Sequence, residues 1–328
     1  MRILTAAMLA ATPAVAQDLT PVTFGANWVA QAEHGGFYQA QEEGHYAECG
    51  LDVTILPGGP QVNNRAQLLA GKIDFFMGGD LLYLFNAAEQ GIPFVAVAAI
   101  MQKHPQVIVA HPGAAETFDD LKNLTILVSD TSYQSYYRWM IETKGFTEDG
   151  RLPYTFNPAP FLADDNVAMQ GYLTSEPYLI EATAGFKPDV FLLADEGYET
   201  YATTIETMRD PLETRPEVVQ CFVDGSIKGW YGYLYGDRTK ADARIMTDNP
   251  EMTADKIAYA VEAMKSNGIV DSGEALEAGI GVITEEKVRA FYDQMVEAGV
   301  TKPDLDIAAH FTEDFTGKGV GMEMKPAE

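Results

Sequence analysis

The strongest constraint on the fold of this chain is a regular alternation of short apolar segments with longer helical ones. The pattern predicts strands at 21–28, 51–56, 73–77, 93–100 and 106–110. It predicts helices at 34–46, 62–70 and 80–90. Asp80 is a good N-cap, and Gly71 and Gly91 follow the last residues of two of these helices. Buried strands that alternate with helices form βαβ units around a parallel sheet.

A second block repeats this pattern, and a mostly helical segment follows it. Strands are predicted at 124–128, 153–156, 169–173, 189–193 and 203–208, and helices at 132–144, 160–168, 176–184, 217–235 and after Thr253 and Thr284. The order predicts an α/β fold of two lobes, each a mainly parallel sheet flanked by helices. We expect residues 18–110 and 200–328 to form lobe 1 and residues 111–199 to form lobe 2, with the ligand cleft between them.

The N-terminus predicts the compartment. Residues 1–17 contain one positive charge, a short apolar run and Ala14-Val15-Ala16, which is the pattern of a cleavable signal peptide. We therefore expect a soluble periplasmic protein and a monomer. Cys49 and Cys221 are the two cysteines; an exported protein can join them in a disulfide, but two buried thiols remain the alternative.

Net charge excludes several classes of partner. The chain carries 22 Lys and Arg against 48 Asp and Glu, a formal charge of −26. Nucleic acids and anionic membrane surfaces are bound through basic patches, so neither is an expected partner. No run after the signal peptide approaches the roughly 18 apolar residues of a membrane span, so we expect no direct membrane insertion.

Catalytic motifs are missing from the sequence. It contains no G-x-S-x-G, H-E-x-x-H, Walker loop or C-x-x-C, and its five histidines are scattered. We therefore expect no catalytic residue, no metal and no cofactor. An exported two-lobe protein without catalytic motifs indicates binding of a small molecule.

Candidate ligand-binding residues stand where predicted strands end and helices begin, because ligands of α/β proteins bind at the carboxyl ends of strands. Trp28 and Tyr133 are candidates for stacking on the ligand, and Glu176 is a candidate for accepting hydrogen bonds from its N–H groups. Such a set suits a flat heteroaromatic ligand better than a small strong anion, which calls for Arg or Lys. The full set is Asn27, Trp28, His34, Tyr38, Gly79, Asp80, Ser132, Tyr133, Asn157 and Glu176.

Several of these turns carry a family resemblance. The run NWVAQAEHGGFY at 27–38, AGKIDF at 70–75 and SEPY at 175–178 resemble the periplasmic receptors of ABC importers for thiamine pyrimidine precursors, nitrate, sulfonates and taurine. The Trp and His of the first turn are most similar to the pyrimidine-precursor branch, although Ala30-Gln31 stands where that branch has Pro-Asn. The resemblance implies the type II periplasmic-binding fold, lobes that close on one ligand, and an ABC permease with its ATPase as partner. It also implies that Glu176 grips ring nitrogens or an amino group.

Other functions stay open at this point. If the ligand is not a pyrimidine, the alternatives are a sulfonate- or nitrate-type anion and a flavin or another larger heterocycle. A receptor that signals to a sensor kinase is a further possibility. An enzyme related to pyrimidine-precursor synthases is the alternative of another class, but those relatives use a cysteine-rich motif that this chain lacks.

Overall fold

The computed structural model describes residues 19–326, so the predicted signal peptide lies outside the described residues. Within that range the chain forms two five-stranded sheets. Their strands are β1 (Thr20–Gly25), β2 (Leu51–Leu56), β3 (Phe75–Met77), β4 (Phe94–Met101), β5 (Gln106–Ala110), β6 (Thr125–Val128), β7 (Arg151–Pro153), β8 (Val167–Tyr172), β9 (Asp189–Leu192) and β10 (Ala202–Met208).

Both sheets are mixed: four of the five strands in each run in the same direction, as expected of a mainly parallel sheet, and one strand is reversed. The first has the order β2-β1-β3-β10-β4, in which β1 runs parallel to β2 and β3 while β10 runs antiparallel to β3 and β4. The second has the order β7-β6-β8-β5-β9, in which β6 runs parallel to β7 and β8 while β5 runs antiparallel to β8 and β9. The reversed strands β5 and β10 are those that follow a passage of the chain from one sheet to the other.

The expected limit of the first lobe at residue 110 needs correction. β5 was placed in lobe 1, but its residues pair with β8 and β9 of the second sheet. The chain therefore leaves the first sheet between β4 and β5, before Gln106, and not near His111. It returns between β9 and β10. We call the first sheet with its helices lobe 1 and the second sheet with its helices lobe 2.

Helices flank both sheets, and the fold class predicted from the sequence, two α/β lobes, is confirmed. The helices are α1 (Gly35–Glu42), α2 (His45–Glu48), α3 (Asn64–Leu69), α4 (Leu81–Glu89), α5 (Asp130–Ser132), α6 (Arg138–Lys144), α7 (Ala159–Ala163), α8 (Glu176–Ala184), α9 (Arg209–Thr214), α10 (Pro216–Tyr235), α11 (Thr239–Asp248), α12 (Ala254–Ser266), α13 (Ala275–Ala278) and α14 (Glu285–Glu297). Short 3₁₀ turns lie at Ala32–His34, Phe118–Asn123, Glu148–Gly150, Ile307–Ala309 and Met322–Met324, and Tyr133–Tyr137 is a π-helical segment.

Helix ends follow local chemistry. The Asp80 carboxylate accepts from the backbone N–H groups of Leu82 and Tyr83 and so begins α4. Thr253 and Thr284 cap α12 and α14 in the same way. These caps satisfy N–H groups that have no partner within the helix, and each was read from the sequence.

Lobe 1 is held together by close helix packing and a disulfide. A Cβ on Gly229 of α10 would lie 2.1 Å from the carbonyl oxygen of Gly36 in α1, so these two helices can approach this closely only with glycine. Cys49 and Cys221 form a disulfide with a Cα–Cα distance of 5.9 Å. The bridge ties the segment before β2 to α10 and decides between the two alternatives left open by the sequence.

The two lobes pack on each other and leave a cleft between them. One buried apolar cluster draws Phe94 and Ala99 from lobe 1 and Ile108 and Ile126 from lobe 2. In the cleft, the loop after β1 faces the start of α8. The cleft is therefore placed at the carboxyl end of β1, where ligands of α/β proteins bind.

Candidate functional site

The cleft encloses a cavity of about 280 Å³ between the lobes. Lobe 1 contributes the loop after β1, the 3₁₀ turn before α1, and the first half of α12 with the loop before it. Lobe 2 contributes the loop between β7 and α7 and the first turns of α8. The polar and aromatic lining consists of Trp28, Gln31, Glu33, Tyr154, Phe156, Thr174, Ser175, Glu176, Tyr178, Asn249, Glu251 and Lys256.

Aromatic rings from both lobes form one wall of this cavity. The rings of Trp28 and Phe156 have centroids 5.2 Å apart, and those of Phe156 and Tyr154 are 5.4 Å apart. Phe156 has a φ of 63°, which is unusual for a bulky residue, and the residue is 51% exposed. Backbone strain of this kind is found at functional sites, where the surroundings hold it. The wall can stack a flat ligand between the lobes.

Glu176 opens α8 and lies at the floor of the cavity. Its Oε2 accepts from the backbone N–H of Tyr172 at 2.6 Å and from the hydroxyl of Ser175 at 2.8 Å. A Cβ on Gly171 would lie 2.7 Å from the Cβ of Glu176, so this glycine makes room for the side chain. Burial raises the pKa of Glu176, even though these two hydrogen bonds oppose the shift.

Glu33 brings a second carboxylate to the same cavity from lobe 1. It is 4% exposed, and its Oε1 accepts from the hydroxyl of Thr174 in lobe 2. Burial raises the pKa of Glu33, and the nearby charge of Glu176 raises it further. Glu33 is not among the residues expected from the sequence, because a glutamate in a turn is usually solvated.

A basic residue also lines the cavity, although none was expected there. Lys256 lies in the first turn of α12, and its Nζ donates to the backbone carbonyl of Glu251 at 2.8 Å. Asn249 lines the same side and donates from Nδ2 to the carbonyl of Ala30 at 2.8 Å, which fixes the loop after β1. These residues stand more than 200 positions from Trp28, so no local pattern could have assigned them to the cleft.

Two of the ten residues chosen from the sequence, Trp28 and Glu176, line the cavity. Asn27 and Asn157 lie next to lining residues and have structural partners. Asn27 donates from Nδ2 to the carbonyl of Gly78 at 3.3 Å, and Asn157 accepts from the N–H of Ala159 at 3.0 Å. Both amides shape the loops that carry Trp28 and Phe156.

His34 and Tyr38 face the interior of lobe 1 and do not line the cavity. Burial lowers the pKa of His34 to about 3, so its imidazole is neutral. The hydroxyl of Tyr38 donates to Asp248 of α11 at 3.1 Å. His34 ends the 3₁₀ turn before α1 and Tyr38 lies in α1, and both side chains are buried there.

Gly79 and Asp80 also lie away from the cavity. Besides capping α4, Asp80 accepts from the hydroxyl of Tyr198 at 2.9 Å and has His104 Nε2 at 3.7 Å. Burial raises the pKa of Asp80 to about 6. Tyr198 belongs to the segment between β9 and β10, so this contact joins α4 to a crossing between the lobes.

Ser132 and Tyr133 take local roles in lobe 2. Ser132 lies in α5, which Ser129 caps: the Oγ of Ser129 accepts from the backbone N–H of Ser132 at 3.2 Å. Tyr133 donates to Glu148, and its ring lies 4.8 Å from the guanidinium of Arg151. Neither residue lines the cavity.

A second cavity, of about 430 Å³, lies on the segments where the chain passes between the lobes. Its lining includes Gln102, Lys103, Asp195, Glu199 and Lys287 and no aromatic residue. Lys103 pairs with Asp195 there. The first cavity is the better candidate, because aromatic rings and a few convergent polar groups are typical of ligand sites.

Residues 19–326 show neither a cluster of metal ligands nor a membrane span. There, no three His, Cys, Asp or Glu side chains are gathered as metal ligands would be. None of the helices in the same range has the length and apolar character needed to cross a membrane.

Known proteins share this architecture. The chain is 21% identical to a riboflavin-binding protein, RibY, of Chloroflexus aurantiacus over 317 residues, which covers 94% of this chain and 90% of the relative. The aliphatic sulphonate-binding protein SsuA of Escherichia coli superposes with a TM-score of 0.59 at 17% identity, over 88% of this chain and 91% of that one. The nitrate-binding protein NrtA of Synechocystis PCC 6803 gives a TM-score of 0.59 at 13% identity, over 92% and 88%.

These likenesses show the two-lobed fold of periplasmic binding proteins and nothing finer. The family match extends further, because residues 31–241 fit the family described as NMT1/THI5 like. That range contains the end of the first cleft loop, all of lobe 2 and the return to lobe 1. The chain is therefore a member of the NMT1/THI5-like family with the fold of periplasmic binding proteins.

Proposed function

We propose that this protein is the substrate-binding component of an ABC importer, which closes its lobes around a small heteroaromatic ligand and delivers it to a permease. The family, the fold and the functions for which its relatives are named support the importer role. The heteroaromatic class of the ligand is inferred from one observation: the aromatic wall of Trp28 and Phe156 lies beside the Glu176 carboxylate. Rings stack a flat heterocycle, and a carboxylate accepts its N–H donors.

The size of the cavity favours a single substituted ring. Ligand sites usually enclose roughly 300–1,000 Å³, and about 280 Å³ lies just below that range. A pyrimidine resembling the thiamine precursor fits this volume. A three-ring flavin is the second candidate, because a relative that aligns with nearly the whole chain is named as a riboflavin-binding protein. Binding of a flavin requires the lobes to open further.

The charge of the site disfavours the anions that the structural relatives are named for. Among the described lining residues, the carboxylates of Glu33, Glu176 and Glu251 face one cation, Lys256. A sulfonate or nitrate would meet more negative than positive charge there, inside a chain of net charge −26. Catalysis by a cysteine is disfavoured too, since both cysteines are joined to each other in lobe 1.

Export to the periplasm and delivery to a permease belong to the same proposal. Residues 1–17 direct export, and the closed form is what the permease and its ATPase receive. Expression of the full chain in a Gram-negative host, followed by osmotic shock and mass spectrometry, tests the first part. Release of a chain that begins at residue 17 or 18 supports it, and retention of the uncleaved chain in the cytoplasm contradicts it.

Ligand class is tested by thermal shift with four probes: 4-amino-5-hydroxymethyl-2-methylpyrimidine, riboflavin, taurine and nitrate. A ligand that binds only the folded state raises the melting temperature with its concentration and affinity. We expect the pyrimidine to give the largest rise. A response to riboflavin alone selects the second candidate, and a response confined to taurine or nitrate refutes the heteroaromatic proposal.

Two variants locate the bound ligand. Trp28→Ala and Glu176→Ala are each expected to weaken binding of the responding heterocycle at least tenfold in calorimetry, because they remove the stack and the acceptor. Tyr133→Ala and Glu181→Gln are the matched controls. Tyr133 is an aromatic residue outside the cavity, and Glu181 is an exposed residue of α8 that does not line it. Equal affinities in the variants and controls would place the ligand elsewhere.

A further inference from the structure

We propose that Glu33 of lobe 1 and Glu176 of lobe 2 form a two-carboxylate clamp, so that the cleft selects a ligand whose ring carries a cationic nitrogen group, such as a protonated amine or an amidinium. This inference rests on the cleft being the ligand site. It adds Glu33 as a specificity-determining residue and makes the charge of the ligand part of lobe closure.

The contact between Glu33 and Thr174 places the two carboxylates together. The Thr174 hydroxyl donates to Oε1 of Glu33 across the cleft, and Thr174 stands two residues before Glu176. Both glutamates line the same cavity. They come from opposite lobes, so closure of the cleft is what brings the two side chains near each other.

The surroundings of the pair supply little positive charge. The groups that face it are Tyr172 of β8, Tyr154, Tyr233 of α10 and Glu251, which are neutral or acidic. The neighbouring His34 is buried and neutral. Lys256 is the cation of the described lining, and its Nζ is held by the carbonyl of Glu251.

Closure of the empty cleft therefore brings two negative groups into a poorly solvated space, which is unfavourable unless one of them binds a proton. A cationic ligand reverses this cost because it sits between both carboxylates. A ligand shifts an opening equilibrium only by its differential contacts with the two states. Here the clamp provides such a difference, because an open cleft offers the cation one carboxylate at a time.

Three aromatic probes of nearly equal shape test the charge preference: benzamidine is cationic, benzamide is neutral and benzoate is anionic. Calorimetry at pH 8 on the wild-type protein is expected to give benzamidine at least a tenfold higher affinity than benzamide, and no measurable binding of benzoate. Equal affinities for benzamidine and benzamide, or a preference for benzoate, overturn the clamp. This arm needs no variant.

Glu33→Gln and Glu176→Gln then assign the preference to the two residues. Each variant keeps the size of the side chain and is expected to reduce the ratio of benzamidine to benzamide affinity at least fivefold. Glu42→Gln and Glu181→Gln are controls, since both residues are exposed and lie outside the cavity. If Glu33→Gln is folded by circular dichroism and its ratio of benzamidine to benzamide affinity is unchanged, Glu33 serves only to accept the hydrogen bond from Thr174 and does not contact the ligand.

The pH dependence gives an independent readout. The cation needs ionised carboxylates, and the pKa values of both are raised, so benzamidine affinity should increase at least threefold from pH 5 to pH 8 while benzamide affinity does not. An affinity for benzamidine that is flat over this range contradicts the clamp. Binding of the pyrimidine or riboflavin without any preference for benzamidine refutes this inference alone. The heteroaromatic ligand class of the proposed function falls instead if no aromatic probe binds.

Discussion

Removal of the Cys49–Cys221 disulfide is expected to destabilise the protein strongly. The bridge joins residues 172 positions apart, from the end of α2 to the first half of α10. For a closed loop of that length, the cross-link removes about 5 kcal/mol of chain entropy from the unfolded state at 25 °C. Native disulfides in practice contribute somewhat less, so Cys49→Ala/Cys221→Ala should lower the free energy of unfolding by about 3–5 kcal/mol.

Ligand affinity should hardly change in the same variant. The disulfide lies before the amino end of β2, whereas the cavity lies beyond the carboxyl end of the parallel strand β1. Each strand has six residues, which separates the two ends by about 20 Å. The bridge therefore constrains lobe 1 without contacting the ligand.

Urea unfolding followed by tryptophan fluorescence measures the stability of the oxidised protein, the reduced protein and the double variant. The reduced protein is the control, and it should match the variant because both lack the same cross-link. A loss below about 1 kcal/mol in both would refute the chain-entropy argument. A ligand affinity that changes more than threefold would refute the separation of bridge and site.

Three further predictions concern single residues. Burial raises the pKa of Asp80 to about 6, so ionisation of this carboxyl costs the folded state about 2–3 kcal/mol as pH rises through that value. In Asp80→Asn, the free energy of unfolding should therefore fall less from pH 4 to pH 7 than in the wild type. Chemical unfolding at both pH values measures this fall, and an equal fall in the two proteins contradicts the prediction. Asn64→Ala should lower the free energy of unfolding by about 2 kcal/mol, because Nδ2 of this buried residue donates to the carbonyls of Ala26, just after β1, and of Leu56 and Pro57, at the end of β2. An unchanged melting curve would disprove it. Gly171→Ala should weaken ligand binding at least fivefold in calorimetry by displacing Glu176, whereas Gly150→Ala, outside the cavity and with room for a Cβ, serves as the control; equal affinities would count against the role of Gly171.

Much of the fold could be read from local patterns. The strand at Leu51–Leu56 has its predicted bounds, and Asp80, Thr253 and Thr284 cap helices as expected. Local patterns do not report strand direction, so the antiparallel placement of β5 and β10 escaped prediction. They also placed a strand at 153–156, whereas the structure has β7 at Arg151–Pro153 and leaves Phe156 in the cleft loop.

The site was harder to predict, because a residue at a strand end faces either the ligand or the core. Trp28 and Tyr38 stand in the same motif, yet the helical turn between them sends Tyr38 to Asp248. Glu33 has the sequence signal of a solvated turn residue, yet it is buried and accepts a hydrogen bond from Thr174 of the other lobe. Lys256 enters the cleft through tertiary packing of α12, which no pattern near Trp28 encodes.

The position of β10 has a consequence for the order of folding. All strands of lobe 2 lie within residues 106–192, so that lobe can form from one continuous piece of chain. Lobe 1 has to wait for residues 202–208, because β10 fills the gap between β3 and β4. Contacts between distant residues form slowly, so lobe 2 should gain protection first in pulsed hydrogen exchange, and earlier protection of β3 and β4 would refute this order. The newly made amino-terminal third of the chain therefore stays without the strand that joins β3 to β4 until about two-thirds of the polypeptide has emerged.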